Sequence, residues 1–226
     1  MEAKTNITGK RSIAVVVILL ASLSILFVSL FHLFGSGNPP TNAIRVACVG
    51  DSITEGTVYP NVLSTLLGTN YSIGNFGVGG ASISLESETP YIRQPEFKKA
   101  TEFLPNFVII MLGTNDATSI LTEHILNFTR DYKRLIEEFQ ALASKPKIWL
   151  VLPPPVFDNG TGLSTPYFVQ QVVPRIEQVA KETSLPLIDV YTPLANHPEY
   201  FLDGVHPNGE AAKIIATAIF NAITER

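Results

Sequence analysis

The sequence predicts an α/β sandwich built on a mostly parallel sheet, and three observations predict it. Short apolar runs recur along the chain, stretches with helical spacing separate them, and polar or glycine-rich clusters follow the runs. Runs that are apolar almost throughout suit strands covered on both faces of a parallel sheet. Strands alternating with helices supply the crossovers that parallel strands need.

A different kind of segment precedes the first strand. Residues 12–34 carry no charged side chain and one histidine, His32. That stretch is long enough to cross a bilayer core as a helix. Lys4, Lys10 and Arg11 precede it, and no Lys or Arg follows until Arg45. The positive-inside rule then puts residues 1–11 in the cytoplasm and the chain beyond Gly35 outside. A cleaved secretory signal is the competing reading, with Gly35-Ser36-Gly37 as a cleavage site, although its apolar stretch exceeds the usual signal length. Either reading places the remainder outside the cytoplasm. Residues 35–42 (Gly-Ser-Gly-Asn-Pro-Pro-Thr-Asn) form a breaker-rich tether. Residues 43–226 are left as one domain, large enough for its own core.

In chain order, the first strand is Ile44–Val49, which holds the lone cysteine, Cys48. No intrachain disulfide is possible, and a small buried hydrophobe is the reading of that thiol. Tyr71–Phe76 and Phe107–Leu112 are the second and third strands. The clearest helix follows, with Ile125, Phe128, Tyr132, Leu135, Ile136, Phe139 and Leu142 on one face and Arg130, Lys133, Glu137 and Glu138 on the other. Ile148–Leu152 is the fourth strand, residues 167–183 a second helix, Leu187–Val190 the fifth strand and residues 208–223 the last helix. No repeat or low-complexity tract interrupts this order. The formal charge of −4 and the lack of any basic run argue against a nucleic-acid partner.

In a parallel α/β sheet, ligands bind beyond the carboxyl ends of the strands. Four clusters fall there or at a helix start: Gly50-Asp51-Ser52-Ile53-Thr54-Glu55-Gly56, Asn75-Phe76-Gly77-Val78-Gly79-Gly80, Gly113-Thr114-Asn115-Asp116 and Asp203-Gly204-Val205-His206-Pro207. A serine hydroxyl needs a neighbouring base to act as a nucleophile at neutral pH, and histidine suits that task. His206 is the candidate base, Ser52 the candidate nucleophile, and Asp203 can turn back three residues to orient the imidazole. Taken singly, each cluster has a plainer reading: Ser52 as a helix N-cap, Asn115-Asp116 and Asp203-Gly204 as turns. Together and in order they point to chemistry.

These four clusters resemble the sequence blocks of the SGNH (GDSL-type) serine hydrolases, over essentially residues 44–224. The resemblance implies a three-layer α/β/α, flavodoxin-like fold with a five-stranded sheet, and ester hydrolysis by Ser52, Asp203 and His206 through an acyl-enzyme. It implies oxyanion donors at the backbone N–H of Ser52, the backbone N–H of Gly80 and the side-chain amide of Asn115. Gly77 and Gly79 remain alternatives to Gly80 in that glycine-rich stretch. Tyr91–Ala100, Val108–Asp116 and Phe201–Pro207 are similar to the carbohydrate O-acetylesterase subgroup, which acts on substrates such as acetylxylan or sialate.

A small acyl ester, acetyl above all, on a glycan is therefore the expected substrate. Lipid esters and thioesters are the nearer alternative, and a catalytically idle glycan-binding module the farther one. No metal or other cofactor is expected, since no His, Asp or Cys spacing suggests a site. Asp51, Thr54, Glu55 and Asp116 are expected to shape loops. His32, His124 and His197 lack the context of a base, and His197 is a candidate pocket lining. Residues 153–166, rich in proline, are expected at the pocket rim. Asn70, Asn127 and Asn159 each open an N-glycosylation sequon.

Overall fold

The computed structural model describes residues 42–118, 124–157, 162–163 and 165–225. The expected anchor, residues 12–34, and Asn159 lie outside the described residues, as does all of the tether except Asn42. Among the described residues, no helix is long and apolar enough to cross a membrane.

Five described strands form one sheet: β1 (Ile44–Gly50), β2 (Tyr71–Gly77), β3 (Phe107–Met111), β4 (Lys147–Leu152) and β5 (Leu187–Asp189). Their order is β2-β1-β3-β4-β5, and every neighbouring pair is parallel. The chain starts in the middle, steps to one edge and returns past its start. That reversal between β1 and β3 opens a crevice at the carboxyl ends of the strands.

Alternate residues of the central strands feed two cores. Ala47, Val49, Val108, Ile110 and Leu150 face one way, against Phe128, Tyr132, Phe139, Ile176 and Val179. Val46, Cys48, Ile109, Met111 and Val151 face the other way, against Tyr59, Leu63, Ile215 and Ile219. The first layer comes from helices α3 (Pro95–Glu102), α4 (Phe128–Gln140) and α5 (Val173–Thr183), the second from α2 (Tyr59–Leu67) and α6 (Gly209–Thr224). A short helical turn, α1 (Ser52–Gly56), leads off β1. Cys48 is fully buried, and that burial pushes its thiol up to about 12.

Two helices escaped the periodicity reading. Pro95 and Glu96 open α3, which buries only Ala100 among its eight residues and so shows no apolar stripe. Pro60 sits in the first turn of α2, a helix of nine residues that buries only Tyr59, Pro60 and Leu63. The second expected helix is real but not uniform: a wider turn over Phe168–Val172 precedes α5. Pro174 follows it and has no N–H to return to that turn. The expectation of strands covered on both faces fails at β2, an edge strand whose residues are mostly half-exposed.

Candidate active site

Ser52 opens α1 directly after β1. Asp51 caps this turn, its Oδ1 accepting from the N–H of Ile53 at 2.9 Å. As the first residue of the turn, Ser52 keeps a backbone N–H with no partner inside the helix. Thr54 accepts or donates a 3.0 Å bond with Tyr59 Oη, which fixes the turn against α2.

Asp203 and His206 enter from the loop before α6. The backbone N–H groups of Val205 and His206 donate to Asp203 Oδ1 at 3.0 and 2.7 Å. Asp203 Oδ2 lies 2.6 Å from His206 Nδ1, and His206 Nε2 lies 2.8 Å from Ser52 Oγ. With Nδ1–H donated to the carboxylate, Nε2 is left to accept from the Ser52 hydroxyl. Partial burial alone pushes the Asp203 carboxyl up. The His206 N–H, the imidazole and the Val205 N–H outweigh it and hold the group at about 2. The cluster is open: the side chains of His206 and Asp203 are 46% and 52% exposed.

The turn has outside support. Phe157 N–H donates to Gly204 O at 2.8 Å, and the rings of Phe157 and Phe201 lie 5.2 Å apart. The described part of the proline-rich loop thus braces this turn, and it contributes nothing to the cavity walls described below. Asn208 caps α6, accepting from the N–H groups of Glu210 and Ala211.

Packing separates Gly77 from Gly80 at the end of β2. A Cβ on Gly77 would sit 2.1 Å from Glu55 N, and the Gly77 N–H is already given to Asn75 Oδ1 at 3.0 Å. Gly77 is therefore a packing glycine. Gly80 has φ +74 and open space where a Cβ would be, and no acceptor takes its N–H among the described residues. Asn115, in the turn Thr114–Ala117 after β3, donates one amide N–H to Ala81 O at 3.0 Å. No described residue takes its second N–H, and Asn115 and Gly80 line one open cavity of about 250 Å³.

Two buried carboxylates hold the loop beyond Gly80. Asp116 accepts from the N–H groups of Ile83 and Ser84, both at 2.9 Å, and Asp131 accepts from Leu85 at 3.1 Å. Burial and the nearby charge of Asp51 push Asp116 up to about 7, against the pull of its two N–H donors. Burial likewise raises Asp51 to about 6, against the Ile53 N–H, the Thr114 hydroxyl and the His206 charge. Asp51 Oδ2 and Thr114 Oγ1 are both buried and fall short of hydrogen-bonding geometry.

Asp51, Thr54 and Asp116 shape loops as expected, but Glu55 does not: its exposed carboxylate accepts no hydrogen bond among the described residues. Asn75 heads one of the four clusters with no role of its own assigned there, and Asp131 was not singled out. Asn75 ties β2 to α1 by donating to Thr54 O at 2.8 Å. Asp131 was masked by its position on an amphipathic helix, where a charge reads as solvated, yet it is 2% exposed.

The other histidines are occupied elsewhere. His124 pairs with Glu86, and His197 pairs with Glu199 at 2.8 Å and stacks on Tyr200. His197 does not line the cavity, and His32 lies outside the described residues. Among the described residues, no group of three His, Cys, Asp or Glu side chains could hold a metal.

Comparison with known proteins gives the chain a family. An acetylxylan esterase of Xylanibacter ruminicola is 31% identical over 211 residues, covering 82% of this chain. The chain spans only 44% of that protein's length. A GDSL-like lipase of Bacteroides thetaiotaomicron superposes with a TM-score of 0.64 at 26% identity, over 84% of this chain and 93% of its own. A carbohydrate acetylesterase family member from Sinorhizobium meliloti shares the fold, with a TM-score of 0.60 at 18% identity over 80% and 97% of the two chains. Residues 48–214 match the model of the GDSL-like lipase/acylhydrolase family, and the chain belongs to that family of ester hydrolases.

Proposed function

We propose that this chain is a membrane-anchored, extracytoplasmic serine esterase that removes small acyl groups, acetyl above all, from carbohydrates. The observation that carries the reading is the Asp203–His206–Ser52 chain of hydrogen bonds, 2.6 and 2.8 Å long. Ser52 gives its proton to His206 Nε2 as its oxygen adds to the ester carbonyl, and the Asp203 carboxylate steadies the imidazolium. The negative oxygen of the tetrahedral intermediate is received by the N–H of Ser52, the N–H of Gly80 and the spare amide N–H of Asn115. His206 then protonates the departing alcohol, leaving acyl-Ser52. Water, deprotonated by the same imidazole, releases the acid and restores the serine.

The acetyl and carbohydrate parts draw support from the acetylxylan esterase relative. The location draws support from residues 12–34, from Lys4, Lys10 and Arg11 on their N-terminal side, and from the sequons. Asn70 is exposed, and Asn127 is half-buried with its amide 3.4 Å from Glu86. Resistance to carbonate extraction, with the domain digested by protease added outside intact cells, is the expected behaviour. Release by carbonate would remove the anchor from the reading.

The decisive assay uses the full chain and its Ser52→Ala variant on p-nitrophenyl acetate and octanoate. Acetate turnover that disappears in the variant is expected. Preferential octanoate turnover would favour a lipolytic enzyme, consistent with Leu202, 93% exposed beside Asp203. A folded chain idle on both esters and on acetylated glycans would leave a binding module.

A further inference from the structure

The cavity beside Gly80 and Asn115 has further walls that no catalytic step uses: Ser82, Ser87, Glu88, Thr89 and Thr118. It shares Gly80 and Asn115 with the oxyanion donors, so it adjoins the place where the ester carbonyl would sit. An acetyl methyl has no use for such walls. Threonine hydroxyls and a carboxylate are instead partners for the hydroxyls of a sugar ring, the carboxylate as a charge-assisted acceptor.

The walls are held in place before any ligand arrives. Ser82 N–H donates to Thr89 O at 3.1 Å and Tyr91 N–H to Ser82 O at 2.9 Å, which closes the neck of the loop. Inside it, Ser82 Oγ donates to Ser87 Oγ at 2.5 Å, and Ser87 Oγ donates to Ser84 O at 2.9 Å. Asp116 and Asp131 clamp the stretch between them. Glu88 therefore projects from a preorganised loop, and little ordering is left for binding to supply.

The charge of the cavity is one-sided. No Lys or Arg lines it, and Glu88 has no cation within 4 Å among the described residues. A second carboxylate lies near Gly79, the residue before the wall residue Gly80: Glu55 Oε2 is 2.9 Å from the place a Cβ on Gly79 would take. We infer that this cavity is a sugar subsite for neutral glycans, with Glu88 as the residue that turns away acidic sugars such as uronates and sialates. The inference deepens the esterase reading and rests on it for the identity of the substrate.

The test compares two ligands of one shape, an O-acetylated methyl glucuronide and its carboxamide. Binding is measured on the full Ser52→Ala chain, and acetate release on the chain that keeps Ser52. The carboxamide is expected to bind about fivefold more tightly at low ionic strength. The difference should shrink toward unity in about 0.5 M salt. Glu88→Gln is expected to close the difference and Glu88→Lys to reverse it. Equal binding of the two ligands, no binding of either, or a difference that survives Glu88→Gln overturns the subsite. A charge-dependent difference in binding with no acetate released from either ligand would sink the esterase reading and leave the subsite standing.

Discussion

Three donors converge on the Asp203 carboxylate, two backbone N–H groups on Oδ1 and the imidazole on Oδ2. Asp203→Asn keeps the shape but sets an amide N–H against a donor, which favours the wrong imidazole tautomer. It is expected to lower kcat on the order of 10³- to 10⁴-fold with KM little changed, as steady-state kinetics on p-nitrophenyl acetate will report. Asn115→Ala removes one donor to the developing oxyanion while leaving Ser52 and His206 in place. A loss of about 10²- to 10³-fold in kcat is expected, and a rise in KM alone would contradict the assigned role. Asp116 is a different case, since its two oxygens serve two consecutive backbone donors. Asp116→Asn turns one acceptor into a donor and leaves a buried N–H unpaired, at a cost of about 1–3 kcal/mol in urea unfolding.

Elements carry their own consequences. Gly77 is the contact between β2 and α1, so Gly77→Ala drives a methyl into the backbone of Glu55. Its melting temperature should fall well below that of Gly80→Ala, where the space is open and only the positive φ opposes a side chain. Equal melting temperatures would show that the β2 end yields. The five strands and α4, α5 and α6 were legible because apolar side chains recur at the period of each element. Helices α2 and α3 were not, because each is short and α3 buries a single alanine. The site was legible where type and spacing suffice, as in the turn from Asp203 to His206. The roles of Asn75 and Asp131 went unread because their work is done on backbone groups 21 and 46 residues away. No local pattern marks such long-range acceptors and donors.

For the molecule as a whole, the buried acids and the exposed one pull stability in opposite directions with pH. Asp51 and Asp116 are raised from 3.8 to about 6 and about 7, so between those limits the folded chain holds protons that the unfolded chain has released. Their contribution favours folding below 3.8 and is lost as the pH rises through 6 and 7. Asp203, lowered to about 2, contributes above 3.8 and loses that contribution as the pH falls through 2. Thermal melting is therefore expected to be most favourable near pH 4 and to decline from there to about pH 7, a decline that Asp116→Asn flattens. A melting temperature that rises steadily from pH 5 to pH 8 would show that both buried acids are ionised throughout.

The hydrogen bond from Ser52 to His206 joins residues 154 apart in sequence. A chain still being synthesised carries its serine early and its histidine late, so the nucleophile stays inert until α6 has docked against α2. On the proposed mechanism, synthesis would act as a safety catch, and proteolytic loss of the last helix is expected to disarm the chain without touching Ser52.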